Sequence, residues 1–144
     1  MADQKDRITC HVLDTTLGKP ARQVRVKLHL TSPPPPSFNT SPIVFESQTD
    51  EDGRIKAWLP YSSATSSGEI PVYTLEDIFS NLPSSGSSST TTRWTLTFDT
   101  ETYFGGPENT FFPEVSVVFN VEEGQRYHVP LLLAPYSYST YRGS

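Results

Sequence analysis

The stretch that decides the fold is residues 127–142, YHVPLLLAPYSYSTYR. Val129, Leu131 and Leu133 occupy alternate positions, the period of two that is typical of a β-strand. Proline has no backbone N–H to donate, so Pro135 is expected to interrupt this strand. Tyrosine and serine alternate after it, which predicts a second strand up to residue 142.

The same alternation recurs along the chain and predicts about eight short strands in all. Besides the two above, the segments are 8–13, 24–30, 43–47, 55–59, 94–98 and 115–121. In one of them, Ile55, Ala57 and Leu59 are predicted to share the apolar face. Turn signals such as Asp52-Gly53 separate most of the segments. This pattern predicts a mainly β fold, one antiparallel sandwich domain over residues 1–144.

Two of the segments without strand character lie at the N-terminus and in the middle of the chain. Residues 1–7 are expected to form a short N-terminal tail, and residues 62–92 a Ser/Thr-rich surface excursion. Within the excursion, residues 74–79 have a possible N-cap and the apolar spacing of a short helix. Its docking side chains are predicted to be Leu75, Ile78, Phe79 and Leu82. Residues 100–104 predict a second short helix or a turn.

Composition argues against several classes of protein. The net charge of −5 comes without a basic stripe, which argues against nucleic-acid binding. No stretch approaches the ~18 apolar residues of a membrane span, and the N-terminus lacks the apolar run of a signal peptide. Cys10 is the only cysteine, which excludes an intrachain disulfide and fits a reducing compartment. The terminal Arg-Gly-Ser differs from the peroxisomal Ser-Lys-Leu. We expect a cytoplasmic protein, with a peroxisomal one as the alternative.

Strand parity assigns several reactive side chains to the non-core faces of their strands, and they would lie together if these strands belong to one sheet. The candidates are His11, Arg54, His128, Ser139 and Tyr141, interleaved with the apolar Leu13, Pro130 and Leu132. Each alone is more often structural, but a solvated strand face would carry Lys, Glu, Thr and Gln instead. Their mixture suits a groove for a small polar molecule. Two histidines without a third ligand on the same face are weak evidence for a metal, so we expect neither a metal nor another cofactor.

Two motifs carry a resemblance to a known family. HVLDTTLGKPA at residues 11–21, and YHVPLLL followed by PYSYSTYRGS at residues 127–144, resemble the 5-hydroxyisourate hydrolases. These enzymes are the catalytic branch of the transthyretin-like family. Residues 50–55, 102–104 and 111–115 also look like family segments. The terminal Tyr-Arg-Gly-Ser is the most specific part, because it distinguishes the hydrolases from the hormone-carrying transthyretins.

The resemblance implies a fold, an assembly and a reaction. The fold is a transthyretin-like (prealbumin-like) antiparallel sandwich of two four-stranded sheets with one or two short helices. The assembly is a homotetramer whose facing subunits build a channel. The reaction is hydrolysis of 5-hydroxyisourate to 2-oxo-4-hydroxy-4-carboxy-5-ureidoimidazoline, a step of urate degradation. The substrate is thus a small purine derivative, and neither a nucleic acid nor a membrane is an expected partner.

The family's functional positions map onto this chain residue by residue. The implied catalytic residues are His11, Arg54 and His128. The implied substrate-binding residues are Leu13, Pro130, Ser139, Tyr141, Arg142, Gly143 and Ser144. The histidines would position and deprotonate water, and the guanidinium would hold the substrate and its developing negative charge. Gly143 is expected to permit a backbone turn over the site. The sequence leaves open which histidine is the base.

Two other classes of function are compatible with parts of the sequence. The first is a transthyretin-like carrier that binds a small molecule without chemistry, against which the histidine pair and the terminal tetrapeptide count. The second is an interaction domain that offers Pro33–Pro36 to other modules. Four prolines alone support it weakly, so the hydrolase is the leading prediction.

Overall fold

A computed structural model describes residues 6–31, 44–60, 75, 91–122 and 124–143. Ten strands lie in these ranges, most of them where the sequence predicts alternation. They are β1 (Ile8–Asp14), β2 (Lys19–Pro20), β3 (Arg25–Leu30), β4 (Val44–Gln48), β5 (Arg54–Ile55), β6 (Leu59–Pro60), β7 (Thr91–Phe98), β8 (Val115–Glu122), β9 (Tyr127–Ala134) and β10 (Ser137–Thr140). A short helix, α1 (Thr100–Phe104), and a 3₁₀ turn, Pro107–Asn109, join β7 to β8.

The strands form two sheets. One has the order β10-β9-β1-β2, with β5 also paired to β1, and the other has the order β6-β4-β3-β7-β8. The predicted sandwich is therefore confirmed, with two differences from the implied pattern. The two-residue strands β2, β5 and β6 raise each sheet to five strands within the described part of the chain. In addition, β1 and β9 pair in parallel, from Ile8 opposite Tyr127 to Asp14 opposite Leu133.

The core lies between the sheets, where both contribute every second side chain. In β1 the apolar Ile8, Cys10 and Val12 are fully buried, and the residues between them are only partly buried. The opposite sheet contributes large side chains such as Trp94 and Phe98, which are also fully buried. Burying a side chain of this size stabilises the folded chain by about 1.5–3 kcal/mol. Burial of one face fixes the register and leaves the other face of β1 and β9 for chemistry.

The apolar face predicted for residues 55–59 is wrong. Ile55 is buried, but Trp58 is 5% exposed and Leu59 is 69% exposed, the reverse of the expected alternation. The reason is that β5 ends at Ile55 and Leu59 already belongs to β6 of the other sheet. The indole N–H of Trp58 donates to the Ile8 carbonyl at 2.7 Å, which satisfies its polar group inside the core.

The predicted excursion lies mostly outside the described residues. Leu75 is helical and 1% exposed, in agreement with its predicted docking role. Its predicted partners Ile78, Phe79 and Leu82 are not among the described residues, and neither is Pro33–Pro36. β7 begins at Thr91, two residues inside the span expected to be loop. In the described part of the chain, no helix has the length and apolar character needed to cross a membrane.

Candidate active site

Three adjacent strands bring the two histidines and Arg54 together. His11 lies opposite Arg54 of β5 on one side and opposite Pro130 of β9 on the other. His128 lies opposite Thr9, so the two imidazoles are diagonal neighbours on the same face of the sheet. Their ring centroids are 6.3 Å apart, with an interplanar angle of 35°. A small molecule could therefore contact both rings at once.

The turn before β5 determines the position of Arg54. Asp50 Oδ1 accepts the backbone N–H groups of Asp52 at 2.9 Å and Arg54 at 3.0 Å, which closes the turn. Gly53 has a φ of +74° and its carbonyl accepts from the Val12 N–H at 2.7 Å. A Cβ at Gly53 would lie 2.5 Å from the Val12 carbonyl oxygen. Glycine thus lets this turn approach β1 closely enough for Arg54 to lie beside the histidine strand.

His11 is held by a backbone carbonyl. Its Nε2 lies 3.0 Å from the carbonyl oxygen of Asp52. Because a carbonyl only accepts, Nε2 carries the hydrogen, and the neutral ring presents the Nδ1 lone pair. Burial lowers the pKa of His11, and the charge of Arg54 lowers it further; the bond to Asp52 and the nearby Asp50 and Asp52 carboxylates oppose these effects. With its pKa below 6.5, His11 is mainly neutral at pH 7 and can accept a proton.

His128 is confined at both edges of its ring. Nδ1 lies 2.8 Å from Thr9 Oγ1. At the opposite edge, a Cβ on Gly143 would lie 2.7 Å from Cδ2 of the imidazole and 3.1 Å from Cγ of Pro130. The Gly143 N–H also donates to the His128 carbonyl at 2.8 Å. The backbone of Gly143 therefore packs directly against the ring.

Close packing, not backbone conformation, requires glycine at position 143. Gly143 is not among the residues with positive φ. A Cβ there would instead meet His128 and Pro130.

The other predicted binding residues lie along the histidine face or in a cavity beside His128. Leu13 lies opposite Leu132, which lies opposite Ser139, so this row shares the face of the histidines. The exposed Tyr141 follows β10 and contributes to a cavity of about 560 Å³ beside His128. Arg142 lines the same cavity, and its guanidinium carbon lies 4.6 Å from the ring centroid of Tyr127. Ser144 lies outside the described residues.

A second cavity touches Arg54 and His128 together. Its volume is about 260 Å³, and its lining includes Thr9 as well as the basic side chains of Arg7, Lys56 and Arg126. The larger cavity contacts His128 but neither His11 nor Arg54. The smaller cavity therefore joins two of the three candidate catalytic residues, while His11 lines neither of these two cavities. Its basic side chains outnumber its one acidic side chain, Asp6, which favours a ligand with electron-rich oxygens.

Sequence reasoning missed Thr9 and these basic residues. Thr9 has the same strand parity as His11, so a period-two pattern could have included it. Arg7, Lys56 and Arg126 lie at the ends of different elements, and no local pattern joins them. Among the described residues, no group of three or more His, Cys, Asp or Glu side chains could hold a metal ion.

Asp14 of the HVLD motif has a structural role. It is 3% exposed, and its Oδ1 accepts the backbone N–H groups of Thr16 at 3.0 Å and Leu17 at 3.1 Å. Its Oδ2 accepts the hydroxyl of Tyr103 at 2.7 Å. Burial, followed by this bond, raises the pKa of Tyr103, which keeps the phenol protonated as a donor. The motif thus combines two residues of the candidate site, His11 and Leu13, with one that holds the β1–β2 turn.

Known proteins resemble the chain along almost its whole length. It is 35% identical to 5-hydroxyisourate hydrolase of Mus musculus, with all of both chains covered. It is 34% identical to a probable 5-hydroxyisourate hydrolase of Schizosaccharomyces pombe, with 98% of this chain and 94% of that protein covered. Among solved structures, the Klebsiella pneumoniae 5-hydroxyisourate hydrolase superposes with a TM-score of 0.58 at 26% identity, covering 95% of this chain and 98% of that one.

The family assignment rests on the match of residues 8–143 to the profile described as the HIUase/Transthyretin family. These residues include the strands that carry His11, Arg54 and His128. The chain belongs to the HIUase/Transthyretin family.

Proposed function

We propose that this protein hydrolyses 5-hydroxyisourate to 2-oxo-4-hydroxy-4-carboxy-5-ureidoimidazoline, a step in the degradation of urate. The observation that carries the proposal is the grouping of His11, His128 and Arg54 on one face of the β1–β9 sheet. A carrier would need only shape and polarity in its binding site. Two imidazoles 6.3 Å apart beside a guanidinium instead provide the groups that a hydrolysis requires.

The first chemical step is the attack of water on a ring carbonyl. A histidine removes a proton from the water as its oxygen bonds to the carbonyl carbon. The lowered pKa of His11 supports this role, because the ring is available in its neutral form at neutral pH. The carbonyl oxygen becomes negative, and in our proposal the Arg54 guanidinium stabilises that charge.

The second step opens the ring. The C–N bond breaks, and the nitrogen takes up the proton that the histidine removed from water, which restores the neutral imidazole. The products of the bond cleavage are a carboxylic acid and an N–H group, so all atoms come from substrate and water. The basic lining formed by Arg7, Lys56 and Arg126 supports binding of the carbonyl oxygens.

The direct test adds purified protein to freshly oxidised urate and follows the decay of the 5-hydroxyisourate absorbance. We expect decay well above the spontaneous rate, in proportion to protein concentration. His11→Asn serves as the matched control, because asparagine keeps a polar side chain without a titratable nitrogen. Spontaneous decay with the unmodified protein would refute the hydrolase, and ligand binding without decay would establish the carrier.

We further propose that the working form is a homotetramer. The histidine face carries exposed side chains such as Ser139, so in a single chain a small substrate there would remain open to solvent. Large apolar side chains are also exposed, among them Tyr136 at 72% and Phe111 at 71%. Contact with further copies would cover such groups and enclose the groove. Sedimentation with activity measured across the gradient tests this, and a fully active monomer would refute it. The cytoplasmic location stays a prediction.

A further inference from the structure

We propose that Thr9 is a positioning residue that fixes the orientation and the tautomer of His128, so that the basic nitrogen of His128 is Nε2. The expected effect of Thr9 on turnover rests on the proposed hydrolase function. Its expected effect on the orientation and tautomer of the His128 ring does not. The parallel pairing of β1 and β9 sets Thr9 directly opposite His128, on the same face. Thr9 Oγ1 lies 2.8 Å from Nδ1, a normal hydrogen-bond length.

The number of hydrogens decides the direction of that bond. Thr9 Oγ1 also lies 3.4 Å from the carbonyl oxygen of Tyr127, a long and weak hydrogen bond to an atom that can only accept. The hydroxyl has one hydrogen, so it cannot donate to both the carbonyl and Nδ1. Both contacts are satisfied only when His128 donates Nδ1–H to Oγ1 and Thr9 donates its hydroxyl hydrogen to Tyr127. In that arrangement the Nε2 of neutral His128 carries the lone pair.

The same arrangement holds after His128 gains a proton. The new hydrogen is on Nε2, while Nδ1–H continues to donate to Thr9 and Thr9 to the Tyr127 carbonyl. Thr9 therefore accommodates the ring before and after proton transfer, without rotating its own hydroxyl. This suits a histidine that positions the attacking water or exchanges a proton with it, the two roles that the proposed reaction assigns to His11 and His128.

Packing makes the hydroxyl a rigid acceptor. Threonine is branched at Cβ, so its χ1 angle is restricted, and Thr9 is partly buried within a strand. Gly143 closes the opposite edge of the imidazole at Cδ2. With Nδ1 and Cδ2 both confined, the Nε2–Cε1 side of the ring is directed away from Thr9 and Gly143.

His11 provides an internal comparison. It donates from Nε2 to the Asp52 carbonyl and presents Nδ1, whereas His128 donates from Nδ1 and presents Nε2. The two imidazoles are thus held through opposite nitrogens, one by a main-chain carbonyl and one by a side-chain hydroxyl. Only the second can be altered by mutation without changing the backbone.

The test compares Thr9→Val, Thr9→Ser and Thr15→Val. Valine keeps the shape of threonine without the hydroxyl, and serine keeps the hydroxyl. Thr15→Val is the matched control, because Thr15 Oγ1 also donates to a β9 carbonyl, that of Leu133 at 3.3 Å, but next to neither histidine. We expect Thr9→Val to lower kcat at least ~10-fold with KM changed less than ~3-fold, since general-base catalysis is worth ~10²–10⁴-fold. Thr9→Ser and Thr15→Val should stay within ~3-fold of the unmodified protein, because neither removes the bond to Nδ1.

A second measurement reads the tautomer without substrate. Long-range ¹H–¹⁵N spectra of the folded protein above pH 8 should show the Nδ1–H form of His128 in the unmodified protein and in Thr9→Ser. Thr9→Val should show a mixture or the Nε2–H form. Nε2–H in the unmodified protein, or an unchanged His128 pattern and kcat in Thr9→Val, would overturn the proposal. If the unmodified protein does not hydrolyse 5-hydroxyisourate, the proposed function fails while the spectra still decide the role of Thr9.

Discussion

Gly143→Ala tests whether the close approach of the C-terminal segment holds the ring of His128. The added Cβ would lie 2.7 Å from Cδ2 of His128, 3.1 Å from Cγ of Pro130 and 3.2 Å from the His128 carbonyl oxygen. Carbon atoms pack best at about 3.5–4.0 Å, so the imidazole and the new methyl group must separate by roughly 1 Å. The bond from the Gly143 N–H to the His128 carbonyl, 2.8 Å long, opposes movement of the backbone.

The size of the effect on stability and on rate depends on whether the His128 imidazole or the backbone at position 143 moves. Insertion of one methyl into a packed contact costs about 1–3 kcal/mol of stability. A displacement of about 1 Å at a reacting group can cost ~10²-fold in rate. We therefore expect kcat/KM for 5-hydroxyisourate to fall ~10- to 100-fold, while the protein stays folded.

The control separates loss of stability from movement of the ring. Gly18 has a φ of +66° and nothing within 4 Å of its would-be Cβ. Gly18→Ala should therefore cost about 1–2 kcal/mol through backbone strain alone, without touching His128. Thermal melts and absorbance assays on both variants complete the comparison. Gly143→Ala with unchanged kinetics, or an equal loss of activity in both variants, would refute the reasoning.

Other predictions concern the reactive side chains themselves. His11→Asn and His128→Asn should each lower turnover ~10²–10⁴-fold with the fold retained, measured by saturation kinetics and circular dichroism; near-full activity would remove that histidine from the mechanism. Arg54→Lys should also turn over poorly, because a point charge replaces a planar fork of donors, and unchanged kinetics would leave only a general electrostatic role. The pKa of His11, followed by NMR titration, should lie below 6.5. Because the unfolded chain then binds the proton more readily, His11 should destabilise the fold as pH falls through about 6.5, and a midpoint above 6.5 would contradict this.

Strand parity predicted much of the site because it is a local property. Side chains two positions apart share a face whatever the partner strand is, so His11 with Leu13, and His128 with Pro130, could be assigned from sequence. Tyr141 and Arg142 follow the end of β10, so strand parity does not assign their faces. Both line the cavity beside His128, with the Arg142 guanidinium over the ring of Tyr127.

The features that the sequence did not reveal depend on distant parts of the chain. The Thr9–His128 bond joins residues 119 positions apart, and the register that allows it arises from parallel pairing rather than from a hairpin. The side chain of Trp58 is buried because residues 56–58 connect β5 of one sheet to β6 of the other. The alternation of a strand does not apply to such a connection. Glycine is required at position 143 because of its close contact with His128, which only the folded chain reveals.

The parallel pairing of β1 with β9 also has a consequence during protein synthesis. β1 leaves the ribosome early, but its central neighbour emerges only after more than a hundred further residues. Until then the edge of β1 that pairs with β9 has no strand to bond. A chain released before β9 would lack His128 and could not complete this sheet. Premature termination should therefore yield aggregation-prone fragments, not partly active ones.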